Sequence, residues 1–374
     1  MTPFLTRLRH SRLFYLISFL LLTRVAILTL PWILVILLFP EKRALSLLHF
    51  VESSWTAWDA RIYLHIAQNG YTNVGDPGNF IVFFPLYPII VKLGLLLIGN
   101  PVWTGVILSS LIFIAAGLVF YRLLQSDFSE KIARWSLIML SIFPTAYFWG
   151  APYTESLFFL TVVLCFYFAR KEDWLLAGTY AGLATFTRPF GVLLVPSLII
   201  EWIYAKKRKV LHLLFLVMPS VISALLYLYI NQLVHGNPFA FQKILGDHWQ
   251  KQLALPSTGI LSSWQRALFG ELNNYTLMVG WAEAVSLTVA WALIPVAFVK
   301  LRRSWAVYYF LSILLFSSTT FILSTPRYLL SIPPFFVLLG IAAQSNFFRL
   351  AWGFISVVLL SYLTLLFARG QWAF

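Results

Sequence analysis

This chain of 374 residues predicts an all-α, polytopic membrane protein, on three observations. Hydrophobic residues make up 60% of it and charged residues only 11%, whereas a soluble domain carries about a quarter charged residues. Apolar runs of membrane length recur from end to end, separated by short polar connections. Basic residues gather in alternate connections, which is the pattern that orients a membrane protein, so the net charge of +14 does not point to nucleic acid. The one cysteine, Cys165, permits no intrachain disulfide and says nothing of redox compartment.

Arg7, Arg9 and Arg12 precede an apolar run from about Phe14 to Phe39. It is too long for a signal-peptide core and lacks a small-residue cleavage site, so it reads as an uncleaved first helix. Further crossings are expected at about 102–123, 135–150, 155–169, 174–187, 189–204, 210–234, 276–299, 305–323, 328–344 and 350–368, eleven in all. The clusters Arg122, Lys131 and Arg134; Arg170 and Lys171; Lys206 to Lys209; Lys300, Arg302 and Arg303; and Arg349 then share the side of the amino end. The positive-inside rule makes that side cytoplasmic.

The apolar run at 80–98 would upset this parity if it crossed. Its Pro85, Pro88, Lys92 and Gly94 disfavour one straight spanning helix, so it is expected to lie in the outer interface or to re-enter. Residues 1–374 read as a single transmembrane domain. Two outer loops, at about 40–101 and 235–275, form its active-site face and carry interfacial helices.

On this topology five polar motifs, distant in sequence, reach one side: the segment around Asp59, Pro152 to Ser156, Thr187-Arg188-Pro189, residues 236–250, and Thr325-Pro326-Arg327-Tyr328. Asp59 opens an expected short helix on which Tyr63 and Ile66 share its face, while Arg61 and His65 share another. A carboxylate among apolar and aromatic neighbours is suited to take a proton from a hydroxyl nucleophile, and equally an Asp at this place could cap the helix. His65 reads as an interfacial hydrogen-bonding residue, since no cluster of His, Cys and carboxylates has the spacing of a closed metal site.

Arg188 and Arg327 adjoin prolines at turns, where a guanidinium either binds phosphate through paired hydrogen bonds or anchors headgroups. Glu155, just after Tyr153, reads as a second acid, as an acceptor for substrate hydroxyls or as a helix-start carboxylate. Arg24 and Glu283 sit inside apolar helices and are candidates to pair with each other. Residues 236–250 mix Phe239, Phe241 and Trp249 with Gln242, Lys243, Asp247 and His248, a composition suited to an interfacial helix over a cleft.

Several segments in order carry a resemblance: WDARIYLHIAQNGY (58–71), FFPLYPIIVKL (83–93), FPTAYFWGAPYTESLF (143–158), LAGTYAGLATFTRPFGVLLVPSLIIEW (176–202), GNPFAF (236–241), PRYLL (326–330) and FARGQW (367–372). Together they resemble the PIG-V-like mannosyltransferases of the glycosyltransferase C superfamily. Gln371 departs from that pattern, where a tyrosine is common. The resemblance implies a glycosyltransferase C fold, a catalytic acid in the first outer loop and a lipid-phosphate sugar as donor. Carried over by motif, Asp59 takes the catalytic role and Glu155, Arg188 and Arg327 become site residues.

The expected activity is therefore an inverting transfer of a hexose, mannose by resemblance, from a polyprenyl- or dolichyl-phosphate donor to a hydroxyl of a glycan or glycolipid. The expected setting is the outer face of a bacterial plasma membrane, or the endoplasmic reticulum membrane in a eukaryote. Asp59 would be the base, with Arg188 and Arg327 on the donor phosphate. Tyr63, His65, Arg61, Glu155, Tyr153 and Tyr328 would contact substrate. No cofactor is required, no metal site is indicated, and a divalent cation near Asp59 is left open. The alternative is a polytopic lipid or solute transporter or flippase. Transporters tend to carry inverted repeats and ionisable groups at the midplane, whereas most motif polarity here falls on one side.

Overall fold

The structure, a computed structural model, describes residues 3–206 and 208–374, with side chains from Leu13 onward. The side chains of Arg7, Arg9 and Arg12 and the whole of Lys207, members of two basic clusters, lie outside the described residues. Among the described residues every regular element is helical apart from an isolated bridge between Leu253 and Thr319, so the all-α class holds.

The first half of the chain starts with α1 (Pro3–Leu38), α2 (Leu47–Ser54) and α3 (Asp59–Asn69). A 3-10 turn, Asp76–Val82, meets α4 (Leu86–Ile98) at a bend of 113°. The run at 80–98 is thus broken at Pro85, as its prolines require. Then come α5 (Pro101–Leu124), α6 (Glu130–Ile142), a 3-10 turn at Ala146–Trp149, α7 (Glu155–Arg170) and α8 (Trp174–Thr187). Several starts follow from local chemistry: Asn100, Ser129 and Asp173 each accept backbone N–H groups of the first turn, and Pro101 needs no such partner.

The second half runs through a 3-10 turn, Pro189–Leu193, into α9 (Leu194–Ile203), α10 (Leu211–His235), α11 (Ala240–Asp247) and α12 (Pro256–Phe269). A π-helical turn, Thr276–Ala282, leads into α13 (Glu283–Lys300), followed by α14 (Arg303–Ser317) and α15 (Thr325–Tyr328). A 3-10 turn and a bend of 93° separate α15 from α16 (Pro333–Ala342), and α17 (Asn346–Ala368) closes the fold.

Helix α7 is the central post, with Phe158, Phe159, Val162, Val163 and Phe166 fully buried against α5, α8 and their neighbours. On its flank α8 meets α10 backbone to backbone. A Cβ on Gly178 would lie 1.8 Å from the Phe215 carbonyl oxygen, and one on Gly182 would lie 2.7 Å from that of Pro219, so the small-residue face of α8 sets this approach.

Among the described residues five helices are long and apolar enough to cross a bilayer: Leu13–Leu38, Pro101–Leu124, Leu211–His235, Thr276–Lys300 and Asn346–Ala368. The two bent pairs raise the number to 7. Helix length and composition therefore do not reproduce eleven crossings. The runs at 135–150, 155–169, 174–187, 189–204 and 305–323 contain α6 to α9 and α14, which have 10 to 16 residues. At ~1.5 Å per residue these span roughly 15–24 Å, short of the ~30 Å hydrocarbon core.

Candidate active site

Asp59 enters the site from a strained turn. Trp58, just before it, has φ 53, a conformation that bulky residues adopt rarely, and its indole lies edge-on to Trp372 at 4.9 Å. The cap position of α3 belongs to Trp58, and no side chain caps it. The Asp59 carboxylate turns instead to Arg327, whose Nη1 donates to Oδ2 at 2.7 Å. It is thus ion-paired, and not surrounded by apolar groups alone as its sequence neighbours suggested. Its side chain is 23% exposed, and Oδ1 accepts no hydrogen bond among the described residues.

Glu155 is the next link. It begins α7, is wholly buried, and accepts on Oε1 from Arg327 Nε at 2.5 Å and from Arg188 Nη2. Its Oε2 has no partner among the described residues. Arg188 is held by two further bonds, from Nε to Thr154 Oγ1 at 2.6 Å and from Nη1 to Ser331 Oγ at 3.0 Å. Pro189 forces Arg188 into an extended backbone (φ −152, ψ 147), which ends α8 and aims the side chain at α7. Arg327 lies over the ring of Tyr153 at 4.5 Å and that of Phe148 at 5.0 Å. The resulting chain Asp59–Arg327–Glu155–Arg188 alternates in sign. Without that alternation the burial of these charges would be prohibitive.

The other sequence candidates divide. Tyr153 donates from its hydroxyl to the Ala57 carbonyl at 2.9 Å, so it ties the Asp59 turn to the start of α7. Tyr63 packs edge-on to Phe83, Tyr87 and Tyr153 beneath Asp59. Burial pushes its phenol well above the usual value. Tyr328 accepts from Lys251 Nζ at 2.9 Å and packs against Phe190 and Phe316. Arg61 and His65 occupy the other face of α3, as their spacing predicts, and the structure does not bring them to the charge cluster. Arg61 is exposed and donates to the Thr56 carbonyl at 3.1 Å, while His65 bonds Asn69 at 3.2 Å and lies edge-on to Phe80.

The expected Arg24–Glu283 pair does not form. Arg24 donates to the Ala146 carbonyl at 2.9 Å and sits over the Phe113 ring at 4.4 Å. Glu283 accepts from the backbone N–H groups of Ser324 at 2.5 Å and Thr325 at 2.8 Å. Each buried charge braces a turn rather than the other charge, and both turns serve the site. The Ala146–Trp149 turn carries Phe148, and Ser324, at φ 72, launches Arg327. Sequence reading missed this role of Glu283, and also Thr154, Ser331 and Lys251. The signal for Glu283 was a lone acid in an apolar helix, which needs hydrogen-bond donors from somewhere.

Two cavities lie away from this cluster. One, of about 160 Å³, is an apolar groove between α1, α6 and α17, and the other, of about 230 Å³, lies beside Glu201, Tyr204 and Arg302. Among the described residues no group of three His, Cys, Asp or Glu side chains could hold a metal ion.

Comparison with known proteins agrees with the resemblance in the motifs. The family model described as dolichyl-phosphate-mannose-protein mannosyltransferase matches residues 84–231, which include Glu155 and Arg188. GPI mannosyltransferase 2 of Drosophila pseudoobscura pseudoobscura is 33% identical over 112 residues, 27% of this chain. The matching part spans 24% of that relative's length. The crystal structure of ArnT from Cupriavidus metallidurans bound to undecaprenyl phosphate superposes with a TM-score of 0.52 at 14% identity, covering 80% of this chain and 59% of that one. The chain therefore shares the fold of ArnT, and part of it is similar in sequence to the dolichyl-phosphate-mannose-protein mannosyltransferase family and to GPI mannosyltransferase 2.

Proposed function

We propose that this protein is an inverting membrane glycosyltransferase. It takes one hexose, mannose in this reading, from a polyprenyl- or dolichyl-phosphate donor and gives it to a hydroxyl of a glycan or glycolipid at the outer face of the membrane. The observation that carries the reading is Asp59: a partly exposed carboxylate with Oδ1 open, held by a buried guanidinium. The similarity to mannosyltransferases supports the reaction class, and the ArnT fold supports a donor built on a lipid phosphate.

In the transfer the acceptor oxygen attacks the anomeric carbon from the face opposite the phosphate. The new C–O bond forms as the bond to the phosphate oxygen breaks, and the lipid phosphate leaves with the electron pair. Asp59 Oδ1 accepts the acceptor's proton, and a single displacement needs one such base. Arg327 lies beside the carboxylate, with Nη2 outside every hydrogen bond among the described residues. Its charge is placed to stabilise the leaving phosphate, with Arg188 behind it across Glu155. A donor phosphate that draws on Arg327 loosens its hold on Asp59, which couples donor binding to release of the base.

The test is transfer of radiolabelled mannose from a synthetic polyprenyl-phosphate donor in reconstituted vesicles, comparing the intact protein with Asp59→Asn. Transfer by the first and not the second supports the reading. Equal transfer by both removes Asp59 as the base, and transfer by neither from any hexosyl donor removes the activity.

A further inference from the structure

Arg188 and Arg327 bring no net charge to an incoming anion. Their two guanidiniums are joined to the carboxylates of Asp59 and Glu155, and the four charges sum to zero. A phosphate entering this cluster meets repulsion from each carboxylate as well as attraction from each guanidinium. Net attraction needs a further cation.

The segment after α11 carries one. Gln250 has φ 53, in the left-handed region, and turns the chain so that residues 251–254 run against 318–320. Lys251 N bonds the Leu245 carbonyl at 3.0 Å, Ala254 N the Ser318 carbonyl at 3.1 Å and Thr320 N the Gln252 carbonyl at 3.0 Å, while Leu253 pairs with Thr319. At the near end Trp249 lies edge-on to Phe83 at 5.5 Å. This strap holds Lys251 Nζ 2.9 Å from the Tyr328 hydroxyl and 5.2 Å from its ring centroid. Tyr328 follows Arg327 directly and lies within electrostatic reach of Lys251, Arg327 and Arg188 together.

Among the described residues no carboxylate lies within ion-pair distance of Lys251. Glu283 feels its field, yet both Glu283 oxygens are taken by the Ser324 and Thr325 N–H groups. An ammonium has three donors, and the Tyr328 hydroxyl uses one. We infer that Lys251 binds the donor's phosphate together with Arg327 and supplies the net positive charge of the site, with the Tyr328 hydroxyl orienting its ammonium. The inference deepens the lipid-phosphate reading proposed above and rests on it. It assigns the net charge of the site to a strap outside the Asp59–Arg188 chain.

The experiment measures binding of undecaprenyl phosphate, undecaprenol and inorganic phosphate to the full chain in lipid nanodiscs, alongside mannose transfer in vesicles. Lys251→Met is expected to weaken undecaprenyl phosphate binding by about 10- to 100-fold, the range for losing a hydrogen bond to a charged group. Undecaprenol binding should be unchanged, and Lys251→Arg should stay near the intact protein. Lys251→Gln, a better fit to a half-buried polar position, makes the same comparison if Lys251→Met does not fold. Undecaprenyl phosphate should bind more tightly than inorganic phosphate.

Unchanged phosphate-lipid binding in Lys251→Met or Lys251→Gln overturns the inference. So does an equal loss for both lipids, which marks a loop anchor, and so does inorganic phosphate binding as tightly as the lipid. Transfer with an unchanged donor KM in the Lys251 variants sinks this assignment while the transferase reading stands. Lys251-dependent binding without transfer of any hexose does the reverse.

Discussion

Helix α7 carries a network of two arginines and two carboxylates at each end, and the two networks differ in what they leave unfinished. Glu155 starts this helix of 16 residues and Arg170 ends it, about 22 Å apart. At the Arg170 end, both oxygens of Asp127 lie within ion-pair distance of a guanidinium, from Arg170 at 2.9 Å and Arg302 at 2.7 Å. Glu201 meets both arginines through Oε1 and accepts from Ser304 Oγ at 2.5 Å through Oε2. Every carboxylate oxygen there lies within ion-pair or hydrogen-bond distance of a partner, although Asp127 Oδ1 forms no aligned hydrogen bond, and Arg302 is 52% exposed. At the Glu155 end both arginines are buried, yet Asp59 Oδ1 and Glu155 Oε2 stay without donors. The first network ties α7, α9, α14 and the connection after α5 together. Glu172, at φ 58, is a strained residue just beyond Arg170, but at the second network the strained residues Trp58 and Ser324 lead directly to Asp59 and Arg327, and spare acceptors stand beside them, as at a reaction site.

Asp59→Asn tests the difference most severely. It removes the proposed base and keeps the shape, so kcat for mannose transfer should fall by about 10²- to 10⁴-fold. The thermal unfolding midpoint should move little, because Arg327 keeps Glu155. Comparable loss of stability and activity would make Asp59 another staple. Glu155→Gln should act the opposite way. It leaves the buried Arg188 without a carboxylate and Arg327 with Asp59 alone, and breaking a buried pair costs about 3–5 kcal/mol. Denaturant or thermal unfolding in detergent should register that loss, and an unchanged midpoint would mean that the arginines find other partners.

Glu283→Gln probes the support beneath the site. An amide presents one oxygen and one NH2 to two N–H donors, so one bond is lost and one donor is left unsatisfied, at about 1–3 kcal/mol. Donor KM should rise as the Ser324 turn that carries Arg327 loosens, and Glu283→Asp should recover part of the change. A stability loss with an unaltered KM would confine Glu283 to packing.

Local chemistry decided what could be read from the residues. The break at Pro85 depends on neighbours in sequence and was legible, and the starts expected at about 102 and 174 fall within a residue of those that Asn100 and Asp173 cap, whereas the start that Ser129 caps was expected at about 135. The gathering of Asp59, Glu155, Arg188 and Arg327 was legible too, because motif polarity sorted by parity put them on one side. Partner choice was not legible. Arg327 and Asp59 are 268 positions apart, and Arg24 met backbone carbonyls where a carboxylate was the natural guess. The eleven crossings stand unconfirmed for another reason. Helix length and composition do not decide whether a short helix such as α7, whose apolar residues pack against protein, also crosses.

Arg302→Ala gives the smallest effect and the sharpest control. Arg302 bridges Asp127 and Glu201, yet Arg170 engages both of those carboxylates from a side chain only 7% exposed. Removing Arg302 therefore leaves neither acid without a cation. An exposed ion pair contributes about 1 kcal/mol or less, because water and salt already screen it. The unfolding midpoint should drop slightly, less at high salt than at low, and kcat and KM for transfer should match the intact protein. A loss of transfer as large as that in Asp59→Asn would mean that the far end of α7 governs the near end, and the division between staple and site would fail.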